Sequence, residues 1–288
     1  MTIEPQSALA RMWLNWMHNP LVPPVEISPE VQALPTNEII WRMSVMFFRK
    51  HLAEFIGTFV NAYWAGSIRI LALTGNTDLT GVTVQIAGMI IGMIYSMAHI
   101  SGGHFNPAVT YMFALKGIFP WKWVLPYMAF QLMGGLFGGG LLLAMYGFQT
   151  GQLSVNYWTA NVVPNFTVHS YTAMFQEAIT FWFLGFVVLM CLKQIEKVGV
   201  VFPIIVGWVL ISIGQINGVY TGWSSNPART VGPCLVFGNC FTNSVWVYVA
   251  GPMLGATVAA LTCVILDHKN RMCEKVAVCG GAVSPEYT

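Results

Sequence analysis

The sequence predicts an all-α membrane protein of six transmembrane helices plus two re-entrant half-helices, arranged as an inverted repeat. Three observations predict it. Charged residues make up 8% of the 288-residue chain and hydrophobic ones 56%, with a mean hydropathy of +0.62; a soluble domain carries roughly 25% charged residues. Long stretches nearly free of charge recur six times. A short Asn-Pro-Ala motif occurs twice, each time after an uncharged stretch. The charge deficit argues against a disordered chain, a coiled coil, a nucleic-acid binder and an ordinary cytosolic enzyme. The net charge of +2 points to no electrostatic partner.

The six spans run roughly over 52–74, 82–100, 122–147, 170–192, 199–217 and 245–266. Each is long enough to cross about 30 Å of hydrocarbon as a helix. Barrel strands would be shorter and would alternate. Basic residues orient the spans. Arg42, Arg49 and Lys50 precede the first, Lys116 and Lys122 lie between the second and third, Lys193 and Lys197 follow the fourth, and Lys269, Arg271 and Lys275 follow the sixth. Loops 75–81 and 148–169 hold no Lys or Arg, so both termini are expected in the cytoplasm. The chain divides into a cytosolic tail (1–50), a membrane domain (51–268, halves about 51–147 and 170–267) and a second cytosolic tail (269–288).

The first tail is proline-rich, with an amphipathic patch of Trp13, Trp16 and Met17, and shows no cleavable signal. The cysteines, Cys191, Cys234, Cys240, Cys263, Cys273 and Cys279, lack metal-ligand spacing. Cys234 and Cys240 fall near the outer face, where pairing and free thiols both remain open. Asn165-Phe166-Thr167 is a glycosylation sequon in an outer loop. No metal or cofactor is expected.

Asn106-Pro107-Ala108 follows the second span and Asn226-Pro227-Ala228 the fifth, 120 residues on. Glu54 opens the first span and Glu177 lies early in the fourth, 123 residues apart. Each half therefore holds three spans. An odd number inverts the second half in the bilayer, an architecture that places a site at the midplane. The stretches after the motifs, 109–116 and 229–236, are too short to span and read as half-helices re-entering a wet cavity. Asn is a favoured N-cap and Pro suits the first helical position, so Asn106 and Asn226 aim two positive helix ends at the midplane. Their carboxamides can also face the lumen. Such a pair repels cations and reorients a passing water, which breaks a proton wire. The extended approaches, Gly102, Gly103, His104 and Phe105 with Gly222, Ser224 and Ser225, leave backbone carbonyls to line the lumen. Arg229, alone in a charge-free segment, reads as a pore arginine. Arg69, near the outer end of the first span, has no evident role.

On the segments 53–58, 101–110 and 226–229, the chain resembles the major intrinsic protein family, the aquaporins and aquaglyceroporins, over residues 50–268. The resemblance implies a pore in each monomer and a homotetramer. It implies that Glu54 and Glu177 hold the re-entrant loops. It also implies a narrowest ring of Ile86, Gly214, Trp223 and Arg229, with Gln215 replacing Gly214 if the alignment slips by one. Glycine followed by an aromatic in that ring is similar to the glycerol-conducting branch. Thr230, Cys234 and Tyr248 look more like the water-channel pattern. The expected function is passive flow of water and of small neutral solutes such as glycerol or urea. A strictly water-selective channel is the alternative. An ion-coupled transporter lacks coupling carboxylates here, and a hydrolase built on Ser101 with His99 or His104 would draw on a loop already accounted for. Glycines 134, 135, 138, 139, 140, 251 and 255 read as small residues for close helix packing.

Overall fold

A computed structural model describes residues 35–154, 161–163, 166–167, 169–238, 240 and 245–279, with side chains described no further than 266. The patch at Trp13, Trp16 and Met17, the sequon asparagine Asn165 and the final tail residues lie outside the described residues. Among the described residues the helices are α1 (Thr36–Leu73), α2 (Leu79–Ser101), α3 (Pro107–Leu115), α4 (Trp121–Gly151), α5 (Ser170–Leu192), α6 (Ile195–Val198), α7 (Phe202–Tyr220), α8 (Pro227–Phe237) and α9 (Val247–Cys279). A short antiparallel pair, β1 (Asn161–Val163) with β2 (Phe166–Thr167), interrupts the otherwise helical chain within the α4–α5 connection.

Local chemistry sets the helix ends. Asp78 caps α2 by accepting from Gly81 N–H at 2.7 Å, and Gly102 ends it in the left-handed region at φ +95°. α1 begins at Thr36 rather than near 52, because Pro35 starts it and no proline follows within it. α3 and α8 have 9 and 11 residues, or about 14 and 17 Å of helix. Neither can cross a bilayer.

Five helices are long and apolar enough to span: α2, α4, α5, α7 and residues 247–266 of α9. α1 has the length but falls short on apolarity because Glu54, Asn61 and Arg69 interrupt it. Its polar side chains turn inward instead, with Glu54 and Thr58 fully buried and Asn61 nearly so.

Glycine rows bring the helices together in matching pairs. A Cβ on Gly134 of α4 would lie 2.4 Å from Phe55 O of α1, and one on Gly138 would lie 2.8 Å from Phe59 O. In the second half, a Cβ on Gly251 or Gly255 of α9 would meet α5 at Met174 O (2.7 Å) or Ala178 O (2.3 Å). Gly135 and Gly139 use the adjoining face of α4 to seat α8, against Ala228 O (2.2 Å) and Pro233 Cα (2.7 Å). Gly140 faces open space and takes no part in this packing. Cys234 and Cys240 form a disulfide, with Cα atoms 4.9 Å apart, that ties the end of α8 to the segment after it.

Candidate functional site: a lumen between two re-entrant loops

Both loops reach their asparagine through the same backbone path. Gly102, Gly103 and Phe105 in the first and Gly222, Trp223 and Ser225 in the second all have positive φ, at matching offsets from Asn106 and Asn226. Such a path exposes N–H groups that no helix satisfies, and one buried carboxylate takes them in each half. Glu54 accepts from His104 N–H (3.1 Å) and Phe105 N–H (2.7 Å), and from Gln131 Nε2 (2.7 Å). Glu177 accepts from Ser224 N–H (3.1 Å) and Ser225 N–H (2.8 Å), and from Thr221 Oγ1 (2.6 Å). Tyrosines brace the loop entrances the same way. Tyr127 donates to Ser101 O at 2.8 Å, and Tyr248 to Thr221 O at 2.6 Å.

The two asparagines cap and cross-link at once. Asn106 Oδ1 accepts from Ala108 N–H (2.9 Å), and Asn226 Oδ1 accepts from Ala228 N–H (3.1 Å) and Arg229 N–H (3.4 Å). Asn106 Nδ2 donates to Ser225 O at 2.8 Å, and Asn226 Nδ2 donates to Phe105 O at 2.8 Å. Each carboxamide thus spends one N–H on the opposite loop and keeps a second. The helix N-termini behind them meet head to head. Pro107 and Pro227 occupy the first helical positions.

A cavity runs beside this junction. α2, α5 and α7 line it at helical spacing with apolar side chains such as Ile86, Ile90, Leu184, Val188, Val206 and Leu210. The loops line it with Gly102–Asn106 and Trp223–Asn226, and Arg229 projects into it. Arg229 is 7% exposed and donates to Trp223 O at 2.7 Å. Ile86, Trp223 and Arg229 therefore border one lumen.

Further details bear on the predicted ring and carbonyls. A Cβ on Gly214 would lie 2.6 Å from Trp223 Cζ3 and 2.7 Å from Thr83 Cγ2, so the indole covers it. Gln215, the alternative at that ring position, donates to Thr83 Oγ1 at 3.0 Å. The Gly222 carbonyl accepts from Arg69 Nη1 at 3.3 Å. Phe105 O and Ser225 O, expected to stand open, are engaged by the asparagines, which leaves each one lone pair.

Sequence reasoning missed several participants. Arg69 clamps the outer end of the second loop, reaching Gly222 O and, through Nε, Leu153 O at 3.1 Å. Gln131 and Tyr127 support the first loop from α4. Asn61 lines the cavity from α1. Of these, Arg69, Asn61 and Gln131 carried a signal as charged or polar side chains inside apolar spans.

An apolar helical bundle enclosing a lumen between two inverted, asparagine-capped half-helices defines a multi-pass membrane protein of the channel class. The model of the family described as "Major intrinsic protein" matches residues 42–263, and the chain belongs to that family. Its members are channels, so the protein is not an enzyme. The chain is 33% identical over 231 residues to Aquaporin NIP1-1 of Zea mays, covering 80% of this chain and 78% of the relative. It is also 33% identical over 243 residues to Nodulin-26 of Glycine max, covering 82% and 86%. Among solved structures, the aquaglyceroporin from Plasmodium falciparum superposes with a TM-score of 0.65 at 22% identity, covering 77% of this chain and 99% of that one. That likeness establishes the fold.

Proposed function

We propose that the protein conducts water passively in both directions, admits small neutral solutes such as glycerol or urea, and excludes protons and ions. The observation that carries this reading is the junction at Asn106 and Asn226. Two helix N-termini and two asparagine carboxamides, each with one N–H left after its cross-loop bond, meet beside a lumen whose spanning-helix walls are mostly apolar. A water oxygen that accepts from both donors turns its hydrogens outward in both directions, so protons find no continuous wire. Cations meet the helix ends and Arg229, and lose hydration that the apolar wall does not replace.

Trp223 and Arg229 pair an apolar plane with a fixed donor fork. That combination suits a carbon skeleton bearing hydroxyl or amide groups. Relatives named as aquaporins and a structural neighbour named as an aquaglyceroporin support the same reading. Strict water selectivity is the second reading, and the indole lying over Gly214 favours it because it occupies space the glycine opens.

The chain is read as a homotetramer with a pore in each subunit. Both termini are cytoplasmic, in the plasma membrane or an intracellular vacuolar membrane, with tails at 1–50 and 269–288. Stopped-flow measurements on proteoliposomes test the reading. Shrinkage in sucrose should be much faster than in empty vesicles, and re-swelling should follow with urea or glycerol. No gain in water permeability rejects the channel; water flow without solute entry selects the strict alternative.

A further inference from the structure

We infer that Arg69 is a positioning residue of the outer filter, holding the Gly222–Trp223 peptide so that Trp223 and Arg229 limit which neutral hydroxyl- or amide-bearing solutes pass. This rests on the channel reading above. An arginine within an apolar span is costly unless it is partnered. Arg69 uses its guanidinium on the backbone of two separate connections. Nε donates to Leu153 O at 3.1 Å, in the turn after α4 (Gln152–Ser154), and Nη1 donates to Gly222 O at 3.3 Å. A Cβ on Gly222 would lie 2.4 Å from that Nη1, so the guanidinium takes the room a side chain there would need.

The bond to Gly222 O matters because of the peptide it belongs to. Gly222 O and Trp223 N–H are opposite edges of one planar unit. Arg69 holds the first edge. Trp223 N–H donates to Thr221 Oγ1 at 3.1 Å, and that hydroxyl donates to Glu177 Oε1 at 2.6 Å. The fixed plane supports a Trp223 φ of +50°, a left-handed value that is strained for a residue with a side chain. Trp223 in turn supplies two parts of the filter. Its ring lies over Gly214, and its carbonyl accepts from Arg229 Nη1 at 2.7 Å. Two guanidiniums thus hold successive carbonyls of one loop, Arg229 from the lumen lining and Arg69 from α1.

The repeat supports the assignment. Gly103 stands three residues before Asn106, as Trp223 stands three before Asn226. Arg69 follows Glu54 by fifteen residues, and Leu192 follows Glu177 by fifteen. The half with glycine in its partner loop position lacks the indole, and the half with the indole has the guanidinium that steadies it.

The test compares wild type, Arg69→Met, Trp223→Gly and the double variant. Arg69→Met keeps a long side chain and removes the donors. Water and glycerol permeabilities are measured in the same proteoliposomes, normalised to inserted protein. With one bond to the peptide gone, the indole can leave Gly214. The glycerol-to-water ratio should then rise about fivefold, the factor one net hydrogen bond carries. Where wild type passes no glycerol, measurable entry in the variant is the same result. The double variant should match Trp223→Gly, because no ring remains to be held. Arg69→Gln, two bonds shorter than arginine, repeats the comparison if Arg69→Met does not insert. A ratio unchanged or lowered by the substitution overturns the inference, including the case in which both permeabilities fall together. A further rise when it is added to Trp223→Gly overturns it as well. Absence of water flow in wild type instead sinks the channel reading itself.

Discussion

Trp223 holds a φ of +50°, while Gly103, its counterpart in the first loop, holds +66°. A left-handed backbone costs a side-chain-bearing residue on the order of 1–2 kcal/mol, so the indole is kept against a local penalty. Trp223→Gly should therefore raise glycerol and urea permeability severalfold without lowering the unfolding temperature in detergent. A marked loss of stability would mean that the ring's packing outweighs the backbone strain. The indole also depends on Gly214. Gly214→Ala places a methyl group into it and should cost roughly 1–3 kcal/mol by overpacking, whereas the same change in a Trp223→Ala background should cost less, with only the contact to Thr83 Cγ2 at 2.7 Å remaining. A double-mutant cycle on thermal unfolding measures the difference, and additive losses would contradict the contact.

Residues of this kind were unequally legible. Glu54, Glu177 and Arg229 stood out because charge inside an apolar run must have a partner. Arg69 stood out too, but its partner Gly222 lies 153 residues away, and no local pattern names it.

Half-helices and glycine rows belong to the next scale. The N-cap preference of asparagine and the fit of proline at the first helical turn act within four residues, so α3 and α8 could be read directly from the motif. What holds them in place is less local. Each loop donates two backbone N–H groups to one carboxylate, so Glu177→Gln turns an acceptor into a donor facing other donors. That should destabilise the second half by about 1–3 kcal/mol and reduce water permeability, with Glu54→Gln acting likewise on the first. Equal permeability per inserted protein in both variants would refute the loop-holding role.

Glycines separate by what faces them. Gly255→Val should lower the unfolding temperature, because its Cβ would sit 2.3 Å from Ala178 O. Gly140→Ala should not, because nothing lies within 4 Å of that position and alanine is the better helix former. The spacing in the sequence made these two glycines look alike.

Across the whole molecule, large apolar side chains face outward. Leu125 is 76% exposed and Trp208 68%, values at home against lipid or a second copy rather than water. Native mass spectrometry from detergent should release a species four times the 31.8 kDa chain; a predominantly monomeric protein in nanodiscs would argue against the tetramer. Protease added to sealed, oriented vesicles should cut both tails from the same side, and cleavage from opposite sides would break the inverted-repeat topology.

The sequence by itself determined the apolar helices, the two capped half-helices and the pairing of two carboxylates with two motifs. Those features follow from solvent and from short-range rules: apolar length and capping chemistry leave marks on contiguous residues. Only the tertiary structure decided which side chains share the lumen. It covered Gly214 with Trp223, tied Gly222 to Arg69, crossed each asparagine onto the opposite loop and brought Asn61 to the cavity wall. Such choices depend on how each helix is rotated about its axis. Rotation is set by glycine contacts and hydrogen bonds between residues about 80 to 150 positions apart, which no local window contains.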